Sequence, residues 1–326
     1  MAGLPILIFQ PIFQKRIWGG RKLAELYGKA IPAGEPIGES WEISDRPGAV
    51  SVVAEGPLVG RDLRWLMENH RAELLGDAAD IGGRFPILVK ILDAHDALSL
   101  QVHPPAAQAV RLNGEPKTEA WIFAETTHHA EVIAGLRAGT TRDDFAKRLR
   151  AGTVSECVHR IPVRQGDAMF LPSGRVHALG AGSVLFEIQQ NSDTTYRVFD
   201  WNRAGLDGKP RELHIEQALA SIDFNDHEPA LVPVRFAETE NGRTRALTPE
   251  GCPFTLKETH LEANGTARIE IRTALIVGVV DGSLTLQSGN CEMILSAGQF
   301  CLVPASTGRV DIRATKPSAF ITATPH

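Results

Sequence analysis

The chain has 326 residues, 43% of them hydrophobic and 22% charged, with a formal net charge of −5 and a pI near 6.1. That is ordinary globular composition, long enough for about two domains at roughly 150 residues each. The acidic balance gives no electrostatic case for a nucleic-acid or membrane-surface partner, and no apolar run is long enough to span a bilayer.

The first segment, "MAGLPILIFQPIF", is apolar but carries no basic leader, and Pro5 and Pro11 interrupt it. It reads as extended chain, not as a signal peptide. Residues 61–75, "RDLRWLMENHRAELL", place Leu63, Leu66, Leu74 and Leu75 at helical spacing and predict one amphipathic helix. "FPILVKIL" (85–92) predicts a strand. In "LSLQVHPP" (98–105) strand alternation puts Leu98, Leu100 and Val102 on one face, and Ser99, Gln101 and His103 on the other. The second face lacks the charged mix of a solvated surface. Either it meets water by chance, or it lines the inside of something that binds a ligand or a metal.

Further strands are predicted at 120–125, 130–136, 167–173, 184–190, 274–287 and 298–305. Helices are predicted at 140–152, capped by Thr at its start and Gly at its end, and at 211–222. Many short strands cut by turn residues, with few helices, point to a mainly β sandwich or barrel. A faint repeat supports two related barrels. Aligned without gaps, "GDAMFLPSGRVH" from Gly166 matches "GQFCLVPASTGR" from Gly298, pairing Phe170 with Leu302, Leu171 with Val303 and Pro172 with Pro304. His177 falls opposite Arg309, and the second copy has no His-bearing strand like 98–105. A metal in the first copy would therefore have no counterpart in the second, which would serve as scaffold. The polar, Pro-containing stretch 224–235 marks the boundary, giving domains 1–228 and 229–326.

The four cysteines, Cys157, Cys252, Cys291 and Cys301, form no CxxC pair and read as free thiols in a reducing cytoplasm. A metal would then need His, Glu, Asp or Gln. Gln101 and His103 share one strand face, Lys117 and Glu119 share another, and His177 follows a Pro-Ser-Gly turn. Two imidazoles, a carboxylate and one more donor satisfy a borderline ion such as zinc, and Gln101, His103, Glu119 and His177 supply that set. In "EIQQNSDTTYRVFDWNR" (187–203), Glu187 and Gln189 share a face, and Arg197 sits in a β-prone run between Tyr196 and Val198. A surface arginine paired with Asp200 is the alternative for Arg197.

Eight motifs then occur in order: "KRIWGG" (15–20), "GESWEIS" (38–44), "FPILVKILDA" (85–94), "LSLQVHP" (98–104), "KTEAW" (117–121), "GDAMFLPSGRVHALG" (166–180), "EIQQNSDTTYRVFDWNR" and "PRELH" (210–214). From about residue 10 to 215 the chain resembles the type I phosphomannose isomerases in their short bacterial form. The resemblance implies a cupin fold of two jelly-roll β-barrels with helical additions: a metal-binding catalytic domain at 1–228 and a ligand-free barrel at 229–326. It implies one zinc ion per chain on Gln101, His103, Glu119 and His177, an active-site arginine at Arg197, lysines at Lys90 and Lys117, a serine at Ser99 and an acidic pocket residue at Glu187. "PPAAQAVRLNGEP" (104–116) departs from the family's acidic start after the His and from the Gly before "KTE", which touches the local loop and substrate access.

The implied reaction interconverts mannose 6-phosphate and fructose 6-phosphate through an enediol(ate). Zinc would act as Lewis acid and Arg197 as a fixed cation that cannot serve as a base. Lys117 is the expected base, with Glu187 or a metal-activated water as alternatives. Ser99 and Lys90 are the expected phosphate ligands, with Arg197 competing. A small sugar phosphate is the only partner expected, with no nucleic acid and no membrane, in a cytoplasmic monomer or homodimer. The rivals are a two-His-one-carboxylate Fe(II) oxygenase, a non-catalytic sugar-phosphate-binding cupin, and an isomerase of another sugar phosphate.

Overall fold

The alternating strands assemble into four large antiparallel sheets stacked in two pairs, beside a two-stranded ribbon of Asp45–Arg46 and Ala49–Val50. They are seen in a computed structural model that describes residues 3–80, 82–289 and 291–326. The first sheet runs, in spatial order, Ile12–Gly20, Ile37–Ile43, Ile87–Ala94, Ser183–Gln190, Glu119–Thr126, Ala168–Leu171. The second runs Tyr196–Phe199, Leu100–Val102, His177–Leu179, Glu131–Leu136, Val158–Pro162. Leu92, Trp121, Phe123 and Leu185 of the first sheet meet Val132, Ala134 and Leu179 of the second in one buried cluster. The ladders stay open at their edges, so the expected barrels are flattened jelly-roll sandwiches.

The third sheet (Ala237–Thr239, Gly242–Ala246, Phe254–Leu261, Ser318–Pro325, Leu275–Asp281, Phe300–Val303) and the fourth (Thr266–Glu270, Arg309–Ala314, Ser283–Ser288, Cys291–Ser296) form a second sandwich. Its core includes Val277, Leu284, Leu286, Val310, Ile312 and Phe320. The two sandwiches share a third core in which Val89, Ile91, Ile122 and Phe186 pack with Leu256, Ile276, Leu302 and Ile321. The N-terminal segment is extended, as its prolines suggest, and bridges to the second sandwich through Leu7 and Leu302.

The repeat read from the sequence is a repeat of topology. Strands Ala168–Leu171 and Phe300–Val303 hold the same edge position in the first and third sheets, and His177 and Arg309 each open the strand that follows. Registers carry the equivalence further. Glu119 pairs with Leu171 as Leu275 does with Val303, and Glu187 pairs with Lys90 as Thr322 does with Lys257.

Three local expectations need adjusting. The helix expected over 61–75 is two helices, Leu63–Asn69 and Arg71–Leu75, broken at His70, where ψ rises to 25°. The Asn69 amide donates to the Trp65 carbonyl, 2.8 Å away, one turn before the break. The helix expected over 211–222 starts only at Ile215, because His214 N donates to Arg197 O (2.8 Å), so the "RELH" run lies along the edge strand instead. Leu98 precedes the strand Leu100–Val102 and joins the inter-sheet cluster, whereas Leu100 and Val102 face the helices with Phe145 and Ala218. The helix Arg142–Arg150 opens with a Thr141–Asp144 capping box, which supplies partners for otherwise orphaned N–H groups. The four cysteines are free, and no helix among the described residues is long and apolar enough to cross a membrane.

Candidate metal and active site

On the second sheet, Gln101 stands in register with His177 on one side and Arg197 on the other, so three polar side chains form a row across adjacent strands. On the first sheet, Glu187 is in register with both Lys90 and Trp121, and Gln189 with Glu119. The sandwich sets these rows face to face. The turn Pro172–Gly174 ties them together. Gly174 N donates to His103 O (2.9 Å), and Lys117 N donates to Ser173 Oγ (3.0 Å). Gly174 has φ +95°, a conformation that glycine adopts without a Cβ clash.

His103, Glu119 and His177 bring one ligand atom each within 4.8 Å of one another, and all three are at most 1% exposed. His103 Nδ1 lies 2.7 Å from the Thr194 carbonyl, and His177 Nδ1 lies 2.9 Å from the Arg175 carbonyl. A carbonyl only accepts, so each Nδ1 carries a proton, and the Nε2 lone pair is the one left to bind a cation. Those lone pairs face the carboxylate: His177 Nε2 is 3.0 Å from Glu119 Oε1, and His103 Nε2 is 3.5 Å from Glu119 Oε2. Glu119 Oε1 accordingly has no hydrogen-bond donor although it is fully buried. Three electron-pair donors converging on one point, with a carboxylate oxygen left over, is a donor set for a divalent cation. Gln101 offers its amide end 3.3 Å from His177 Nε2, and turning that amide by 180° presents its oxygen.

Burial, reinforced by the Lys117 ammonium, pushes His103 down to about 3, so its ring stays neutral. Burial opposes the Glu119 charge, but Lys117 overrides it and holds the carboxyl well below its usual range. Lys117 Nζ contacts Glu119, lies 3.3 Å from His103 Nε2 and 4.0 Å from Glu187 Oε1.

Beside these donors opens a cleft of about 560 Å³ whose lining includes Ser99, Gln101, Lys117, Glu187, Arg197 and Arg211. A larger cavity, about 1240 Å³, is lined by residues of both sandwiches, among them Phe123, Glu125, His260 and Ser318, and includes none of His103, Glu119 and His177. Position beside the convergent donors, not volume, makes the smaller one the candidate site. Arg197 is half-buried; Nη1 donates to the Glu212 carbonyl (2.8 Å), and Nε has no partner among the described residues. Burial and the neighbouring Arg211 lower its pKa. Asp200 is held by Arg203 and Arg211.

The sequence-predicted residues thus gather around one cleft. Sequence reasoning passed over four that the structure adds. Trp121 donates its indole N–H to Glu187 (2.8 Å) and stands edge-on to the His177 ring (5.6 Å). Glu39 and Trp41 lie behind Lys90, and Arg211 lines the cleft. All four fall inside quoted motifs, but only the pairing of distant strands shows what they touch.

The model of the phosphomannose isomerase type I catalytic domain matches residues 6–138. The chain is 36% identical over 304 residues to the mannose-6-phosphate isomerase ManA of Bacillus subtilis, covering 93% of this chain and 94% of that one. It is also 36% identical over 301 residues to the mannose-6-phosphate isomerase of Streptococcus mutans, covering 91% and 92%. The crystal structure of the Bacillus subtilis mannose 6-phosphate isomerase superposes with a TM-score of 0.89 at 30% identity, covering 98% of this chain and 99% of that one.

Proposed function

The chain belongs to the type I phosphomannose isomerases, and on that premise we propose that it interconverts mannose 6-phosphate and fructose 6-phosphate. The ion proposed is a single zinc, held by His103, Glu119, His177 and Gln101. The observation that carries this is the buried Glu119 carboxylate, whose two oxygens face the Nε2 atoms of His177 and His103 while Oε1 has no hydrogen-bond donor among the described residues. When bound there, the ion supplies a Lewis acid for the O1 and O2 oxygens of the sugar.

The protein groups do the rest. Moving a proton between C2 and C1 puts negative charge on the sugar oxygens. Arg197, one strand from Gln101, supplies a fixed cation to that charge and keeps its own proton. Lys117 is the proposed proton carrier. Its amine must first be deprotonated, and Glu187, 4.0 Å away, is the carboxylate placed to exchange that proton. Trp121 fixes the near Glu187 oxygen by its N–H. Arg211 and Ser99, both on the cleft lining, are the proposed phosphate donors.

A coupled isomerase assay on mannose 6-phosphate tests the proposal, run before and after chelation and again with zinc restored. Activity should vanish with the metal and return with it. A folded, zinc-loaded protein that leaves mannose 6-phosphate unchanged would refute it.

A further inference from the structure

We propose that Lys90 is a positioning residue: its ammonium holds the Glu187 carboxylate aimed into the cleft, and it does not bind the substrate's phosphate. The inference rests on the isomerase function proposed above and deepens it.

Lys90 is 4% exposed on the cleft floor, and its charge is already committed. Nζ lies 3.2 Å from Glu187 Oε2, 3.9 Å from Glu39 Oε2 and 5.1 Å from the centre of the Trp41 ring. Glu39 is fixed in turn by Trp41 Nε1 (2.6 Å) and by Arg16, whose Nε and Nη2 reach its two oxygens at 2.9 and 3.2 Å. A phosphate dianion approaching Lys90 would meet both carboxylates, a like-charge contact that disfavours binding. Glu187, 3% exposed, has two anchors instead: Lys90 on Oε2 and the Trp121 N–H on Oε1. Burial alone would disfavour the Lys90 charge, but Glu187 and Glu39 outweigh it and raise its pKa.

The second sandwich provides an internal control. Thr322 stands where Glu187 does and Lys257 where Lys90 does, in the same cross-strand register. With a threonine opposite, Lys257 is exposed to solvent. A lysine at this strand position is drawn inside where a carboxylate faces it.

The charged groups around the pair come from four segments. Glu187 faces Lys90 from Ile87–Ala94 and Lys117 from the run before Glu119–Thr126. Lys90 also faces Glu39 from Ile37–Ile43 and feels Asp193 and Glu119 at longer range. Removing Lys90 leaves Glu187 Oε2 without its ammonium, with the Trp121 N–H on the other oxygen and Lys117 at 4.0 Å. A carboxylate no longer aimed at Lys117 should slow the proton transfer and leave substrate binding alone, so kcat should fall with KM nearly unchanged.

The test uses the zinc-loaded full chain as wild type, Lys90→Arg, Lys90→Met and Lys90→Met/Glu39→Gln. The double variant removes one buried charge of each sign and supplies the reading if Lys90→Met alone does not fold. Two quantities are measured: kcat and KM on mannose 6-phosphate, and the affinity for inorganic phosphate by titration calorimetry. In the methionine variants kcat should fall by roughly tenfold or more while KM and phosphate affinity stay within about twofold, and Lys90→Arg should restore kcat. A kcat that does not fall, or phosphate binding weakened by about tenfold or more, overturns the proposal. A wild type inactive on mannose 6-phosphate would instead sink the functional assignment, and the phosphate titration would still judge Lys90 by itself.

Discussion

Replacing Arg197 by alanine separates two roles for the cation that stands in register with Gln101. One of its donors, Nη1, is spent on the Glu212 carbonyl at 2.8 Å, while Nε has no protein partner and the side chain lines the cleft. Its loss strands no buried anion, because Asp200 keeps both Arg203 and Arg211. The fold and the metal content should therefore survive. If Arg197 meets charge that develops only in the transition state, losing that preorganised donor should cost about 3–4 kcal/mol. At about 1.4 kcal/mol per factor of ten, kcat should fall by roughly 10²–10³ with KM nearly unchanged. Steady-state kinetics on mannose 6-phosphate, with zinc content measured on the same samples, decides it. A KM raised tenfold at unchanged kcat would make Arg197 a phosphate anchor and refute the reasoning.

Alanine at His103 or His177 should abolish bound metal and activity together, read as zinc per chain by elemental analysis. Glu39 is buried, and burial opposes its charge, but Lys90 and Arg16 outweigh this and bring it from 4.5 down to about 2. Because the folded value is the lower one, its stabilisation is full above about pH 4.5 and fades as pH falls toward 2. Glu39→Gln should thus cost stability at pH 7, by about 3 kcal/mol at most, and the urea-midpoint difference from wild type should shrink across that acidic window. Arg245 is paired with Glu258 at 2.6 Å, donates to the Gly166 carbonyl of the first sandwich, and is 4% exposed. Arg245→Met should destabilise by about 3–5 kcal/mol in denaturant titration, and Arg245→Met/Glu258→Leu should recover much of that loss.

How far the sequence speaks depends on how local the signal is. Alternation within "LSLQVHPP" marks Gln101 and His103 as sharing a face with no knowledge of other strands, and both border the site. The capping box at Thr141 is equally local. Lys90 is the opposite case. Its partners Glu39 and Glu187 lie 51 and 97 positions away and meet it only because their strands pair with its own, so no window of the sequence shows what its charge faces. Arg211 went unnoticed because "RELH" reads as the start of a helix. The edge strand captures that run, and the arginine turns to the cleft. The break at His70 carries no Gly or Pro, so the periodic pattern runs straight through it.

The duplicated sandwich shows why fold alone does not make the site. Register places Glu270 opposite Arg309 as Gln101 lies opposite His177. Two residues beyond Glu270 comes Arg272, as His103 comes two beyond Gln101, and Leu275 occupies the place of Glu119. Two guanidiniums and a leucine offer no lone pair to a cation and would repel it. Restoring part of the set should not be enough. In Leu275→Glu/Arg309→His, one imidazole and one carboxylate return, but Arg272 still puts a positive charge where the second imidazole belongs. The zinc-to-protein ratio of this variant, measured after dialysis against the metal, should equal the parent's. A ratio higher by one would show that the backbone frame by itself orients donors well enough to bind. The histidine-to-carbonyl contacts at Thr194 and Arg175 would then matter little for metal binding.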